Sequence, residues 1–367
     1  MRNRVSRFDP KTACLSALAG IPGVRYELFA DIDWSAEDLA NADFYLHLGL
    51  APLHAGRAAQ AVAEFDLCVA DQELERCGSR MLTVADPDYP AALRHIYNPP
   101  WALYVKGNLQ NHRLRIGVVG SRKATPYGRQ AVETLVPALA GAEAVVVSGL
   151  ARGIDTLAHV VTLRHSGITL AVLGTGLDSV YPTENARLAQ RILERDGALI
   201  SEYREGTPPL PHHFPARNRI ISGLSRAVLV VEGDRNSGSL ITAEHAMEQG
   251  RDVCAVPGSI FSPQSYGPNW LISQGAIPVT GPESLLQALG IAPGRGESEE
   301  KMQLSFEQSS LLDIMGHEPR DVDFLVLHSS LAIGELLALL TELELGNVVS
   351  RLAGGRYIVN RPRNDQP

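Results

Sequence analysis

From residue 115 onward, short apolar runs alternate with segments of helical period. The runs 115–119, 144–147, 169–173, 198–201, 227–231, 253–256 and 277–279 are nearly without polar interruption and predict strands. Helical periods near 127–140, 155–166, 184–196 and 239–250 separate most of them. A strand that is apolar at every position is buried on both faces, which implies a parallel sheet covered by helices on either side. Its crossovers should be right-handed. Before this region the pattern is helical with little strand character. Residues 15–32 place a Gly-Ile-Pro-Gly turn between helical runs, in the manner of a helix-hairpin-helix, and 86–107 is proline-punctuated like a bridge to the next domain. After it, residues 291–308 are polar and rich in Gly and Glu, as a linker is. Three further helical runs follow, near 309–315, 321–329 and 332–345. The pair VVSRL and RYIVN around Gly354-Gly355 then signals a hairpin, outlining a winged helix. The third helix offers Glu335, Glu342 and Glu344 among leucines, so this module reads as a packing or partner surface and not as a base reader. The expected fold is α/β, a Rossmann-like parallel sheet core at 111–290. A small N-terminal helical domain at 1–110, a linker at 291–308 and a winged-helix domain at 309–367 complete it.

The strands end alike. IGVVGSR (116–122), VVVSGLARGID (145–155), LAVLGTGLD (170–178) and VLVVEGDRNSGSL (228–240) each stop at Gly, Ser or Arg before a helix. Glycine lets the backbone approach a ligand closely, and a helix start offers unpaired N–H groups with a partial positive charge. In an open parallel sheet such loops gather beyond the carboxyl ends of the strands. Gly120-Ser121-Arg122 puts a hydroxyl, free N–H groups and a guanidinium at one strand end. Ser148-Gly149 with Arg152-Gly153 repeats this, and Ser237-Gly238-Ser239 with Thr242 does so without a cation. Phe214-Pro-Ala-Arg217-Asn218-Arg219 adds two arginines beside an aromatic in what reads as a loop. Any one cluster could be a helix cap or a structural ion pair; four on one rim point to a polyanion. Asp155 is placed to cap its helix or orient Arg152.

Charge narrows the location. The net charge is −8, yet residues 112–290 carry 16 Lys and Arg against 15 Asp and Glu, and all but one of those cations are Arg. Local loops must therefore bind, since no bulk positive field exists. A length of 367 residues implies two or three domains. Cys14, Cys68, Cys77 and Cys254 form no CxxC or zinc spacing and are expected as reduced thiols. No apolar stretch is long enough to cross a bilayer, and the basic start leads into no signal-peptide core, so a cytoplasmic protein is expected. Catalytic motifs are absent: no Walker A lysine, no GxSxG, no HExxH. Gly174-Thr-Gly176 lacks the third glycine of a dinucleotide fingerprint, and His212-His213 has no ligand at metal spacing. No catalytic residue, metal or cofactor is expected.

GVVGSRKATPYG, SGLARGIDTLAH, GTGLDSVYPTEN, FPARNRIISGLS and SGSLITAEHAMEQGRDVCAVPG, in this order, resemble the DprA/Smf family of bacterial DNA-processing proteins. DPDYPAALRHIYNPPWALYVKGN before the sheet and the winged helix after it also fit. The resemblance covers nearly the whole chain. It implies a protein that binds single-stranded DNA without sequence preference and dimerises through the Rossmann-like domain. It also implies help in loading the RecA recombinase on strands carrying single-strand-binding protein, chiefly during natural transformation. Carried onto this chain, the strand-binding positions are Gly120, Ser121, Arg122, Arg152, Gly153, Asp155, Arg217, Asn218, Arg219, Ser237, Gly238 and Ser239. Many relatives have lysine in the YPxxN segment where this chain has Thr183, so Arg187 or Arg129, just after strand-end loops, are the expected substitutes. The alternative is a Rossmann-like nucleotide-binding or phosphoribohydrolase-type enzyme. SGSLITAEH with Glu244 lies where such enzymes carry PGGxGTxxE, but the PGG start and the Gly-Thr pair are missing.

Overall fold

The sheet begins earlier in the chain than the apolar runs suggest. The computed structural model describes residues 14–18, 21, 24, 28–29, 32, 34–291, 305–316, 318–329, 331–345, 348–352 and 355–359. It divides into two units, residues 1–294 and 295–367. In the first, nine strands are ordered β1-β2-β6-β5-β4-β3-β7-β8-β9. They are β1 (Arg80–Thr83), β2 (Ala102–Gly107), β3 (Arg115–Val119), β4 (Val145–Ser148), β5 (Thr169–Leu173), β6 (Ala198–Ser201), β7 (Ala227–Val230), β8 (Asp252–Ala255) and β9 (Ile277–Pro278). From β6 across to β9 every pairing is parallel, whereas β2 joins β6 and β1 joins β2 antiparallel. The seven strands within 111–290 pair in parallel as expected, and two earlier antiparallel strands extend the sheet, so the domain boundary drawn at residue 110 falls inside it. The physical reason is edge protection: β2 pairs the flank of β6 that an all-parallel sheet would leave open. Pro99 and Pro100, just before β2, masked it as an irregular bridge.

Among the described residues of this unit seven α-helices follow β3: α6 (Pro126–Gly141), α7 (Ile154–Arg164), α8 (Ala186–Glu194), α9 (His213–Leu224), α10 (Gly238–Glu248), α11 (Tyr266–Ser273) and α12 (Pro282–Ala288). Among the described residues five α-helices precede it: α1 (Ala36–Leu39), α2 (Ala42–His47), α3 (Pro52–Ala63), α4 (Leu67–Cys77) and α5 (Ala91–Arg94). Ile116 and Val118 of β3 pack with Val132, Leu135 and Val136 of α6 on one face, while Val119 joins the core on the other. Both pleats of the strand are thus covered, which is why its sequence has no polar alternation. The second core also contains Tyr45, Ala55 and Ala58 from the N-terminal helices, together with Ile220 and Leu224 of α9. Those helices share the sheet's core. The Gly-Ile-Pro-Gly turn of the expected hairpin lies, except for Ile21, outside the described residues.

α9 occupies the segment read as a loop. Pro215 stands in its first turn, where a missing N–H leaves no hydrogen bond unmade. Topology then creates a crevice. The chain steps outward from β3 through β4 and β5 to β6, then returns to lay β7 on the other side of β3. Loops leaving β3 and β7 run apart, and a ligand site opens between them.

The second unit has α13 (Phe306–Met315), α14 (Val322–His328) and α15 (Ile333–Leu345). Strands β10 (Arg320–Asp321), β11 (Val349–Arg351) and β12 (Arg356–Val359) are ordered β10-β12-β11. Leu311, Met315, Leu325, Leu336, Leu340 and Leu343 form its core, leaving Glu335, Glu342 and Glu344 on the surface. This is a winged helix. Residues 292–304 of the expected linker, and Gly354 of the hairpin, lie outside the described residues.

Candidate nucleic-acid interface

Beyond the carboxyl ends of β3, β4 and β7 lies a cleft of about 390 Å³. Its β3 wall is Gly120-Ser121-Arg122-Lys123, turned by Ser121 Oγ accepting from the Lys123 N–H at 3.0 Å. The helix that follows is already occupied at its positive end. Buried Glu232 accepts from the Thr125 N–H through Oε2 at 3.0 Å and from the Thr125 hydroxyl through Oε1. Gly128 makes room for it, since a Cβ there would stand 2.1 Å from Glu232 Oε2. In dinucleotide-binding relatives of this architecture a phosphate takes the helix N-terminus after the first strand. Here a side-chain carboxylate holds the N-cap Thr125, whose hydroxyl oxygen accepts from the Gly128 N–H at 3.2 Å.

The β7 wall retains an available helix start. Ser237 caps α10, its Oγ 3.4 Å from the Ser239 N–H that it accepts and 2.8 Å from Ser239 Oγ. Gly238 is exposed, and Asn218 Nδ2 donates to its carbonyl at 3.1 Å, fastening α9 to the loop. Under the cleft sits a buried pair. Arg217 donates to the carbonyls of Gly149, at 2.7 Å, and Val172, while Asp155 Oδ2 accepts from the Gly149 N–H at 3.1 Å. Burial pushes the Asp155 carboxyl up to about 6, against the pull of Arg217 and the Ala151 and Gly149 backbone. Burial likewise lowers Arg217 to about 10, with Asp155 opposing. At the mouth, exposed Arg122 lies 5.7 Å from the centre of the Phe214 ring, itself 5.4 Å from Tyr181. A guanidinium with no carboxylate partner among the described residues, the half-buried Phe214 ring beside exposed Tyr181 and a capped helix start thus meet at one groove. That set suits phosphates joined to bases.

Residues 80–290 match the family model for DNA recombination-mediator protein A, and residues 297–355 match that for the DprA winged helix domain. The chain belongs to the DprA/Smf family. Protein Smf of Escherichia coli (strain K12) is 41% identical over 297 residues, 78% of this chain and 79% of that protein. DNA processing protein DprA of Streptococcus pneumoniae is 49% identical over 205 residues, 56% and 72% respectively. The X-ray structure of DNA processing protein A from Streptococcus pneumoniae superposes with a TM-score of 0.62 at 38% identity, covering 77% of this chain and 94% of that one. DNA processing protein A of Helicobacter pylori, a structure describing its single-stranded DNA binding mode, gives 0.52 at 31% identity, covering 57% and 95%.

The positions carried over from DprA/Smf do not all reach the cleft. Gly120, Ser121, Arg122, Asp155, Arg217, Asn218, Ser237, Gly238 and Ser239 line it; Arg152, Gly153 and Arg219 do not. Arg219 turns away, donating to Glu202 at 2.9 and 2.6 Å and to the Asn98 carbonyl at 3.0 Å, and is buried there. Its expected role as a strand contact is therefore corrected to a structural one. Arg152 pairs with Glu184 through two 2.9 Å bonds, both side chains more than half exposed, so Asp155 does not orient it. Gly153 is a turn residue: its φ is +76°, and a Cβ would meet Ser121 O at 2.2 Å. Thr183 opens a short 3₁₀ turn, and the suggested substitutes Arg129 and Arg187 are exposed but outside the lining. Glu244 is exposed and also outside it, which removes the acid the hydrolase alternative needs. His213 packs on Tyr203 with rings 3.9 Å apart, and no three metal-ligating side chains gather among the described residues. No single described helix is long and apolar enough to cross a membrane. Lys123 and Gln264 line the cleft unforeseen; Lys123 was legible beside Arg122, whereas Gln264 arrives from a distant loop.

Behind the cleft floor, buried His159 is within 2.7 Å of Thr169 Oγ1, whose hydroxyl donates to the Val146 carbonyl, so the imidazole donates from Nδ1. Burial, and secondarily Arg217, lowers its pKa to about 3. As pH falls from 6.5 the unfolded chain takes up a proton that the folded one refuses, and stability drops by about 2 kcal/mol at pH 5. Asp155 acts oppositely: its folded pKa is raised, so stability grows as pH falls from about 6 toward 3.8, by roughly 1 kcal/mol at pH 5. The two oppose each other. Urea midpoints at pH 7 and 5 should show acid destabilisation growing in Asp155→Asn and shrinking in His159→Gln. Equal pH responses in both variants would contradict this account.

Proposed function

We propose that this chain binds single-stranded DNA without sequence preference in the cleft between β3 and β7, and helps load the RecA recombinase onto it during natural transformation. The observation that carries the reading is Arg122, exposed beside Phe214 at the mouth of the groove. A flexible strand offers it a phosphate and offers the ring a base, whereas a duplex keeps its bases stacked inward. The helix start at Ser237-Gly238 receives a second phosphate. Arg152 supplies a third by exchanging Glu184, an exposed partner held weakly. Family membership supports the remainder: a homodimer through the Rossmann-like sheet would hold two stretches of strand and gain affinity by effective concentration. Strand coated by single-strand-binding protein is the substrate, in the cytoplasm. No bond is broken in this role, and no cofactor is called for.

The test is a titration of one labelled mixed sequence, as single strand and as duplex, across several salt concentrations. Preference for the single strand is expected, with log affinity falling against log salt at about −0.7 per phosphate contacted. Recombinase filament growth on strand precoated with single-strand-binding protein should then accelerate when this chain is added. Binding that is indifferent to salt, or equal for duplex, would reject the reading.

A further inference from the structure

The loop joining β8 to α11 is tied down along its length. Gly258 and Asn269 exchange hydrogen bonds of 3.2 and 3.0 Å, and the Tyr127 hydroxyl donates to the Pro257 carbonyl. The Gly233 N–H donates to the Gln264 carbonyl at 2.7 Å, joining this loop to the one after β7. Yet at its tip Ile260 is 84% exposed and Phe261 90% exposed. A tethered loop that holds two large apolar side chains in water contributes nothing to the core, and such a patch marks a contact surface. Just beyond it, exposed Tyr266 carries the Arg235 guanidinium 4.6 Å from its ring centre. Gln264, Asp234 and Asn236 line the cleft, so the patch continues the β7 wall without a gap in the chain.

We propose that Phe261, Tyr266 and Arg235 form a second strand-binding station, resting on the single-strand reading above. Nucleotides that leave the cleft past the start of α10 stack their bases on Phe261 and Tyr266, and Arg235 takes the adjoining phosphate. Ile260 shields the stacked bases from water. The pairing of aromatic faces with a cation, rather than an apolar groove, selects a nucleic acid strand over a protein segment. Its chain neighbours Asp234, Asn236 and Gln264 line the same cleft as Arg122 and Phe214, so one strand passes from the cleft to the station.

The experiment uses the full chain and labelled thymidine strands of about five and about twenty nucleotides, the range over which such sites fill. The longer strand is also made abasic. The double variant Ile260→Ser, Phe261→Ser should bind the short strand as the wild type does and the long strand roughly tenfold more weakly, the worth of about one stacked base. That loss should vanish on the abasic strand. Arg235→Ala should reduce the salt slope by about 0.7 on the long strand only. Unchanged long-strand binding in both variants overturns the station while leaving the cleft intact. Unchanged strand binding with lost recombinase loading also overturns it, and assigns the patch to a protein. A wild type that binds neither strand removes the single-strand reading and this proposal together.

Discussion

Arg122→Ala should weaken single-strand binding by about tenfold and make the salt slope shallower by about 0.7, the signature of one phosphate contact removed. The circular dichroism spectrum and melting temperature should stay within error of the wild type. Both halves of this expectation come from the same geometry. The side chain is exposed, it lies 5.7 Å from the Phe214 ring, and among the described residues no hydrogen bond uses its guanidinium. Arg122→Lys should recover the charge and part of the affinity, but not the planar stacking against Phe214. An Arg122→Ala variant that binds as the wild type, at low and high salt alike, would move the strand off this wall.

Arg217→Met should do the opposite, lowering stability by about 3–5 kcal/mol and the melting temperature by roughly ten degrees. Removing the guanidinium leaves the Gly149 and Val172 carbonyls without a donor and leaves the buried Asp155 carboxylate without its cation. Burying an unpaired charge is the costly part. Adding Asp155→Asn should therefore restore a portion of the loss, because the orphaned charge is gone while the Gly149 N–H keeps an acceptor. Differential scanning calorimetry of the single and double variants decides this. Additive losses in the double variant would show that the pair is not coupled.

These two arginines expose how far residue type reaches. Arg122, Arg217 and Arg219 all stand near strand ends in the sequence, and all three suit phosphate equally by chemistry. The structure gives them three fates: one in solvent, one beneath the cleft, and one against Glu202. Arg217 and Arg219 diverge because α9 rotates about 100° per residue, sending side chains two positions apart to nearly opposite faces. Reading the segment as a loop hid that rotation. Asp155 misled in a similar way. As a local cap it should orient Arg152, but its carboxylate meets the Gly149 N–H and faces Arg217 from a distant helix.

Local pattern alone was enough for the strands from residue 115 on, four of the helices between them (α6, α7, α8 and α10), the winged helix and the family motifs. Apolar runs, helical periods and turn residues act within a few positions of each other, so they are written consecutively in the chain. Tertiary structure alone decided that β1 and β2 complete the sheet and that Glu232 holds the N-cap of α6. It also decided that Gln264, from the loop after β8, lines the same cleft as Arg122. Each of these depends on contacts between residues far apart in the chain. Which charge is neutralised, and which is left for a ligand, is set by those distant neighbours and by burial, and neither is a property of the residue itself.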